Sequence, residues 1–378
     1  MFSVDNFYDF FVREYGHEKT NNLVMIYQPH GTKDLHNLEP FAVTRDNLSS
    51  KFLSFKRIVM HDQEPLNLKY MDTYRKNLRD QKNLLIQGEN QRKTLEFNLK
   101  KYANDCDVFD FMRLVMEDCP IICHSELNSE DIKVLNEHGF VDCYYWWHGM
   151  IARDWFRHWE HYQDLHPVNK SNCRQRFLLY SRALDGTRTY RKELLAHCHQ
   201  YQSLVRHNWN NAQVDSTYSA KIDIDDAVNS AVHIVAETLF DTEKIYLTEK
   251  VFKPMVMSQA FILFAPPGSL QYLKDYGFKT FDSCWDESYD RELDSAKRMA
   301  QLLLLIDHIS GLSQQEFEKI YQQAMPIIEH NRKRFFSTAF QEDLILEMRT
   351  NMKKALLKQN QGHEHSLNNE SSANGNDV

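Results

Sequence analysis

Residues His233–Ser269 read HIVAETLFDTEKIYLTEKVFKPMVMSQAFILFAPPGS, and the architecture of the whole chain can be worked out from them. An apolar run of strand length ends at the carboxylate of Glu237. A charged loop then leads into a helical pattern, and a second apolar run ends in a Pro-Pro-Gly turn. This order predicts a strand–helix–strand unit in which the two strands are parallel.

Polar residues are concentrated where the strands of this unit end. In open α/β sheets, ligands bind in the crevice outside the carboxyl ends of the strands. Two lysines beside the start of a helix favour a phosphate ligand, because cations and free backbone N–H groups both attract anions. The residues that we expect at this edge are Glu237, Tyr246, Thr248, Glu249, Lys250 and Lys253.

This part of the chain resembles the donor-binding half of family 10 glycosyltransferases, the α1,3-fucosyltransferase type. The resemblance covers roughly residues 177–282 and is greatest to the shorter, divergent members of bacterial and viral type. It implies a GT-B fold, inversion of the anomeric centre, and a nucleotide diphosphate sugar as donor, usually GDP-fucose. The residues that carry it are Glu237, Tyr246, the triplet Thr248-Glu249-Lys250 and the turn Pro267-Gly268.

Length and composition limit the classes of protein to consider. A chain of 378 residues with 42% apolar residues suits two domains, each with its own core. The net charge of -8 argues against a general affinity for nucleic acid. The odd number of cysteines, 7, is typical of free thiols in a reducing compartment. Because no apolar run approaches the roughly 20 residues of a membrane span, we expect a cytoplasmic protein without a transmembrane segment.

Strand, polar tip and helix recur along the chain, which is typical of a parallel sheet covered on both faces. With the resemblance, this predicts an α/β, GT-B-like fold: two Rossmann-like domains that face a central cleft, followed by C-terminal helices. The polar, aperiodic segment 166–175 is the predicted linker. The other predicted ranges are an acceptor-binding domain 1–165, a nucleotide-sugar-binding domain 176–340, a C-terminal helix 341–360 and a disordered tail 361–378.

An inverting transfer needs a base for the acceptor hydroxyl and positive charge for the departing diphosphate. For the diphosphate we expect Lys250 and Lys253, because a lysine supplies a compact charge. Glu249 suits ribose or sugar hydroxyls, since a carboxylate accepts two such bonds at once. The candidate arginine partners of the lysines, whose guanidinium forks match phosphate oxygens, are Arg182, Arg188 and Arg191, and Arg182 at the strand tip is preferred over Arg188.

Two donor-site residues admit a second interpretation. Glu237 either holds the donor sugar and stabilises developing positive charge, or caps the loop that follows its strand. Tyr246 either flanks the nucleotide or packs in the core.

The base is expected at a strand tip of the first domain, and Glu64 is preferred there because Pro65 places it on a loop. The candidates are Asp62, Glu64, Glu126 and His148.

One pattern resembles a metal site. Asp223-Ile-Asp225 matches the Asp-x-Asp pattern with which GT-A transferases hold a divalent cation on the donor diphosphate. It stands at the start of a predicted helix, where capping is the preferred interpretation. We therefore predict no metal and no cofactor, and as partners a nucleotide-sugar donor and a glycan-type hydroxyl acceptor. The alternatives are a metal-dependent GT-A transferase that uses Asp223 and Asp225, and a non-catalytic sugar- or nucleotide-binding module.

Overall fold

The computed structural model describes residues 24–27, 42–43, 57–61, 65, 121–137, 140–181, 183–207 and 220–373. The strands are β1 (Val24–Tyr27), β2 (Ala42–Val43), β3 (Arg57–His61), β4 (Ile121–His124), β5 (Val141–Tyr144), β6 (Gln175–Leu179), β7 (Val205–His207), β8 (Ser230–Ala236) and β9 (Ala260–Phe264). The helices are α1 (Glu130–Glu137), α2 (Trp147–Trp155), α3 (Tyr190–Cys198), α4 (Ile224–Asn229), α5 (Phe252–Val256), α6 (Ser269–Asp275), α7 (Ser295–Gly311), α8 (Gln314–Phe336) and α9 (Thr338–Ala373).

The strands form two sheets, and every described pair of neighbouring strands is parallel. One sheet has the order β2-β1-β3-β4-β5 and the other β7-β6-β8-β9. Strands β4, β8 and β9 are buried along their whole length, as expected for parallel strands covered on both faces. The predicted α/β class, with parallel sheets and C-terminal helices, is therefore confirmed.

The chain divides into two compact units. Unit 1 contains Met1–Ser125, Glu130–Trp147 and Ile345–Val378, and unit 2 contains Glu126–Ser129 and His148–Leu344. The segment 166–175, predicted as a linker, lies inside unit 2.

Lys170 explains why this polar segment lies within a compact unit. Its buried ammonium donates to the carbonyl oxygens of Ala227 at 2.6 Å and Met257 at 2.5 Å. Ala227 lies in the last turn of α4 and Met257 is the C-cap of α5, positions where backbone oxygens lack helical partners and cations are favoured. Burial lowers the pKa of Lys170 to about 7. The polar character of the segment thus reflects hydrogen bonds to the interior.

Helix α9 is longer than the sequence predicts. It continues to Ala373, through most of the tail for which we expected disorder. That stretch contains no proline, although its glycine, serine, histidine and asparagine residues have low helix propensity. From Ile345 on, the helix belongs to unit 1, where the carboxylate of Glu347 accepts the N–H of Trp146 at 2.9 Å.

The five cysteines that the structure describes are free thiols. In the same part of the chain, no helix combines the length and the apolar character needed to cross a bilayer.

The segment between α6 and α7 holds a largely buried carboxylate, Glu287. Its Oε1 accepts the N–H of Phe281 at 2.8 Å, and its Oε2 is shielded from water. Burial raises the pKa of Glu287 from 4.5 to about 7. The ionised form of this side chain is therefore a cost to the folded state.

We expect Glu287→Gln to stabilise the protein above pH 7. The folded pKa lies above the unfolded one, so stability is complete below 4.5 and lost as the pH rises through about 7. Glutamine cannot ionise, so the variant should gain on the order of 2 kcal/mol in free energy of unfolding at about pH 8. Urea denaturation at about pH 5 and about pH 8 measures the gain. The exposed Glu342→Gln is the control, and an equal gain at both pH values would contradict the assignment.

Candidate functional site

The carboxyl edge of the sheet in unit 2 contains a topological switch point. From β6 the chain proceeds to β7 on one side, whereas β8 and β9 lie on the other side. Helices and loops that leave neighbouring strands in opposite directions open a crevice at such a point. Strand β8 pairs with both β6 and β9, and its last residue, Ala236, is followed by the carboxylate of Glu237.

Glu237 is completely buried, and both of its carboxylate oxygens are engaged. Oε1 accepts the backbone N–H of Thr248 at 3.1 Å, and Oε2 accepts the hydroxyl of Thr248 at 2.7 Å. Oε2 also accepts the N–H of Thr238 at 3.2 Å. These bonds attach the later part of the loop to the end of β8, so the geometry favours the loop-capping interpretation of Glu237.

The backbone at the end of β8 is held from α3. Arg191 donates to the carbonyl oxygens of Ala236 at 2.8 Å and Glu237 at 2.7 Å, and Tyr190 donates to the latter at 2.6 Å. Arg191 is buried, and its guanidinium also reaches the carbonyl of Ala183 at 3.0 Å. The arginine that we considered for phosphate binding therefore satisfies backbone oxygens.

Glu249 and Lys250 begin a short 3₁₀ turn, Glu249–Val251, which Thr248 caps. Lys250 Nζ lies 2.9 Å from Thr248 Oγ1, 3.5 Å from Thr238 Oγ1 and 3.4 Å from Glu249 Oε1. The side chain of Lys250 is 32% exposed, whereas that of Glu249 is 8% exposed. The ammonium is thus held at the sheet edge, and the Lys250 side chain is partly exposed to solvent.

Lys253 lies deeper than Lys250. Its ammonium donates to the carbonyl oxygen of Lys221 at 3.0 Å and lies 5.3 Å from the ring centroid of Tyr180, the residue after β6. Burial lowers the pKa of Lys253 to about 8, while Glu249 opposes this shift. Burial lowers the pKa of the neighbouring His233 to about 3, and the charge of Lys253 adds to the effect.

His148 contacts two motif residues of unit 2. Its Nε2 forms a hydrogen bond of 2.8 Å with Tyr246 Oη, and its Nδ1 lies 3.5 Å from Glu249 Oε2. Burial alone would raise the pKa of Glu249, but Lys250 and His148 hold it well below its ordinary value. His148 lies in the first turn of α2, shortly after β5 ends at Tyr144.

Glu126 contacts the same loop at a position before the one that His148 contacts. Its Oε2 pairs with Lys244 Nζ at 3.2 Å and accepts the hydroxyl of Ser129 at 2.5 Å. Two backbone hydrogen bonds, of 3.1 and 3.0 Å, join Leu127 and Ile245 as an isolated antiparallel bridge. Segment 126–129 is therefore held against the loop by an ion pair and by backbone hydrogen bonds.

No family model, curated protein or solved structure matches this chain. The resemblance to family 10 transferases therefore rests on the motif residues alone, and the function remains a prediction. The structure of unit 2 supplies the remaining basis for a proposal.

Most of the predicted residues lie together in unit 2. Glu126, His148 and Glu237 contact alternate residues of the loop, as the two-residue period of an extended chain allows. Arg188 lies in the turn Gly186–Arg188 after β6, at the carboxyl edge of the same sheet. Asp62, Glu64 and Arg182 are outside the described residues, so their roles remain predictions.

Sequence reasoning missed Lys244, Thr238 and Ser129. The signal for Lys244 was available, because Lys244, Tyr246 and Thr248 are spaced by two residues and therefore point to the same side of an extended loop. Their partners could not be found in this way, since they come from distant parts of the chain.

The carboxylates of Asp223 and Asp225 accept hydrogen bonds from residues of helix α4. Asp223 is the N-cap, and its Oδ1 accepts the N–H of Asp226 at 3.0 Å. Asp225 Oδ1 accepts from the side-chain amide of Asn229 at 2.8 Å. The capping interpretation of this pattern is thus confirmed for Asp223. Among the described residues, no group of three or more His, Cys, Asp or Glu side chains is arranged to hold a metal ion.

Proposed function

We propose that this protein is an inverting, metal-independent glycosyltransferase of the GT-B type. It moves fucose or a related sugar from a nucleotide diphosphate, preferably GDP, to a hydroxyl of a glycan-type acceptor in the cytoplasm. Unit 2 binds the donor in this proposal. The main support is the position of Thr248, Glu249 and Lys250, which are held at the end of β8 beside a topological switch point.

The departing diphosphate requires positive charge that a ligand can reach. Lys250 meets this requirement, because its side chain is partly exposed and its ammonium lies 2.9 Å from an oxygen of Thr248. Lys253 adds positive charge from inside, where its ammonium is bonded to a backbone carbonyl. Lys250 is therefore the proposed contact to the diphosphate, and Lys253 strengthens the local potential. Arg188 at the same edge is a second candidate contact.

Glu249 is the proposed partner of donor hydroxyls. Its pKa is held below its ordinary value, so the carboxylate is ionised at neutral pH and acts only as an acceptor. Its Oε1 lies 3.4 Å from Lys250 Nζ, and its Oε2 lies 3.5 Å from His148 Nδ1. Both distances exceed the length of strong charge-assisted bonds, about 2.7–2.9 Å. Each oxygen can therefore accept a shorter bond from a hydroxyl of the ligand.

Glu126 fits the role of base less well than the sequence suggests. Its side chain is 1% exposed, and its Oε2 already pairs with Lys244 and Ser129. An ion pair of this kind favours the ionised carboxylate and weakens it as a proton acceptor. Asp62 and Glu64 thus stay the proposed bases, and Glu126 holds the loop in place.

A thermal-shift screen against nucleoside diphosphates tests the donor assignment. A ligand at about a hundred times its Kd should raise the free energy of unfolding by about 2.7 kcal/mol. We expect GDP to raise the melting temperature by several degrees, guanosine to have little effect, and chelator to leave the shift unchanged. Absence of a shift with GDP, UDP, ADP and CDP alike would overturn the proposal.

Turnover separates a transferase from a binding module. Wild-type protein supplied with a GDP-linked sugar should release GDP, slowly to water and faster when a hydroxyl acceptor is present. Glu64→Gln should lose this release while it keeps the GDP shift, because the base is required for the chemical step only. A GDP shift without any release of GDP would identify the protein as a non-catalytic binding module.

A further inference from the structure

His148 is outside the Tyr246–Lys250 motif in sequence but lies against it in space. Its ring meets that of Tyr246 edge-on, with centroids 5.1 Å apart, and the Nε2 to Oη bond of 2.8 Å connects the two side chains. Both residues are buried, His148 at 6% and Tyr246 at 2% exposure. The imidazole is therefore anchored by a contact that water does not reach, and its orientation is fixed.

The other ring nitrogen faces the donor site. Nδ1 is buried, and Glu249 Oε2 lies 3.5 Å away. The ionised carboxylate of Glu249 favours the tautomer that has the proton on Nδ1, and in this tautomer Nε2 accepts the hydroxyl proton of Tyr246. With Lys250 on Oε1, the carboxylate is confined from two sides. Neither nitrogen is available as a base for an acceptor.

We propose that His148 is a positioning residue that orients Glu249 toward a pair of neighbouring hydroxyls on the donor. The inference rests on the proposed function and adds to it the residue that sets selectivity. A ligand without one of these hydroxyls would leave a buried carboxylate oxygen without its partner, which is the arrangement that discriminates most strongly. The hydroxyls belong either to the ribose or to the transferred sugar, and two ligand comparisons separate these sources.

The first comparison measures the Kd values of GDP and 2′-deoxy-GDP by calorimetry, and the second compares GDP with GDP-fucose. We expect wild-type protein to prefer the ligand with the additional hydroxyls by about tenfold in at least one comparison. His148→Phe keeps the aromatic contact with Tyr246 but has no ring nitrogen, so this preference should fall to about twofold or less. A loss in the first comparison assigns the ribose, and a loss in the second assigns the sugar.

Two conservative variants test which nitrogen matters. In His148→Asn the amide nitrogen can take the place of Nδ1 and face Glu249, whereas in His148→Gln it reaches the position of Nε2. We expect Asn to restore more of the preference than Gln. The control is His197→Phe, because this histidine of unit 2 pairs with Asp307 at 2.5 Å and has no contact with the motif in the described structure.

The outcomes distinguish this inference from the proposed function. If wild-type protein binds GDP but His148→Phe keeps the full preference in both comparisons, only the role of His148 is overturned. If wild-type protein binds no nucleotide, the proposed function fails and the inference fails with it. Should His148→Phe not fold, the ratio for His148→Asn relative to His148→Gln decides, and equal ratios would reject the positioning role.

Discussion

Lys250→Ala should weaken the binding of GDP by about thirtyfold while the fold stays intact. Hydrogen bonds to charged groups contribute about 1.5–3 kcal/mol, which corresponds to a change in Kd of roughly tenfold to a hundredfold. No other described cation of the motif can take over, since Lys253 is buried and its ammonium donates to the carbonyl of Lys221. Stability should change little, because Lys250 is one-third exposed and its contacts are with small hydroxyls and a neighbouring carboxylate.

Calorimetric titration with GDP and with guanosine measures this effect. The affinity for guanosine should not change, because the lost contact is with the diphosphate. Lys192→Ala is the matched control, since that lysine is 60% exposed and its ammonium lies 3.8 Å from Asp185. Lys250→Arg retains the charge and should recover part of the affinity. Equal GDP affinity in Lys250→Ala and wild-type protein would remove Lys250 from the donor site.

Glu237→Gln is expected to lower the free energy of unfolding by about 3 kcal/mol, the largest effect on stability that we predict. The two carboxylate oxygens of Glu237 accept three hydrogen bonds from Thr248 and Thr238 and are shielded completely from water. An amide can replace one oxygen only by turning an N–H toward a donor. One buried donor would then lose its partner, and a charge-assisted bond would be lost.

Urea denaturation of Glu237→Gln beside Glu243→Gln provides the measurement. Glu243 belongs to the same loop but is exposed, so its replacement should change the free energy of unfolding by less than about 0.5 kcal/mol. Because Lys250 contacts Thr248, which is held by Glu237, the Glu237 variant should also lose GDP affinity. A variant as stable as wild-type protein would mean that the loop is held by other contacts.

The strands of unit 2 could be predicted from the sequence because their signal is local. A parallel strand covered on both faces must be apolar throughout, and the runs that end before Glu237 and Ala265 satisfy this condition. The carboxyl-edge position of Glu237, Thr248 and Lys250 followed from the same pattern, since polar residues directly after such strands lie at one edge. The disordered tail was predicted from polar composition, and no proline interrupts α9 in the stretch up to Ala373.

The partners of these residues could not be predicted. His148 and Tyr246 are 98 positions apart, and no periodicity relates a residue in the first turn of α2 to one in a loop after β8. For Lys170 the local sequence predicted the wrong environment, because a polar segment around a proline is typical of an exposed linker. Its ammonium is nevertheless buried against two helix ends, which only the packing of α4 and α5 makes possible.

The order of residues along the chain was enough to define parallel sheets, an acid after β8 and lysines beyond it, because apolar runs and turn residues act over a few positions. Tertiary structure decided the rest. In the folded chain Glu237 is bonded to Thr248, and His148 lies against Glu249. Lys250 is partly exposed, whereas Lys253 is buried. Burial and charge pairing arise only when distant segments pack together, and these two quantities determine which carboxylates and amines can meet a ligand.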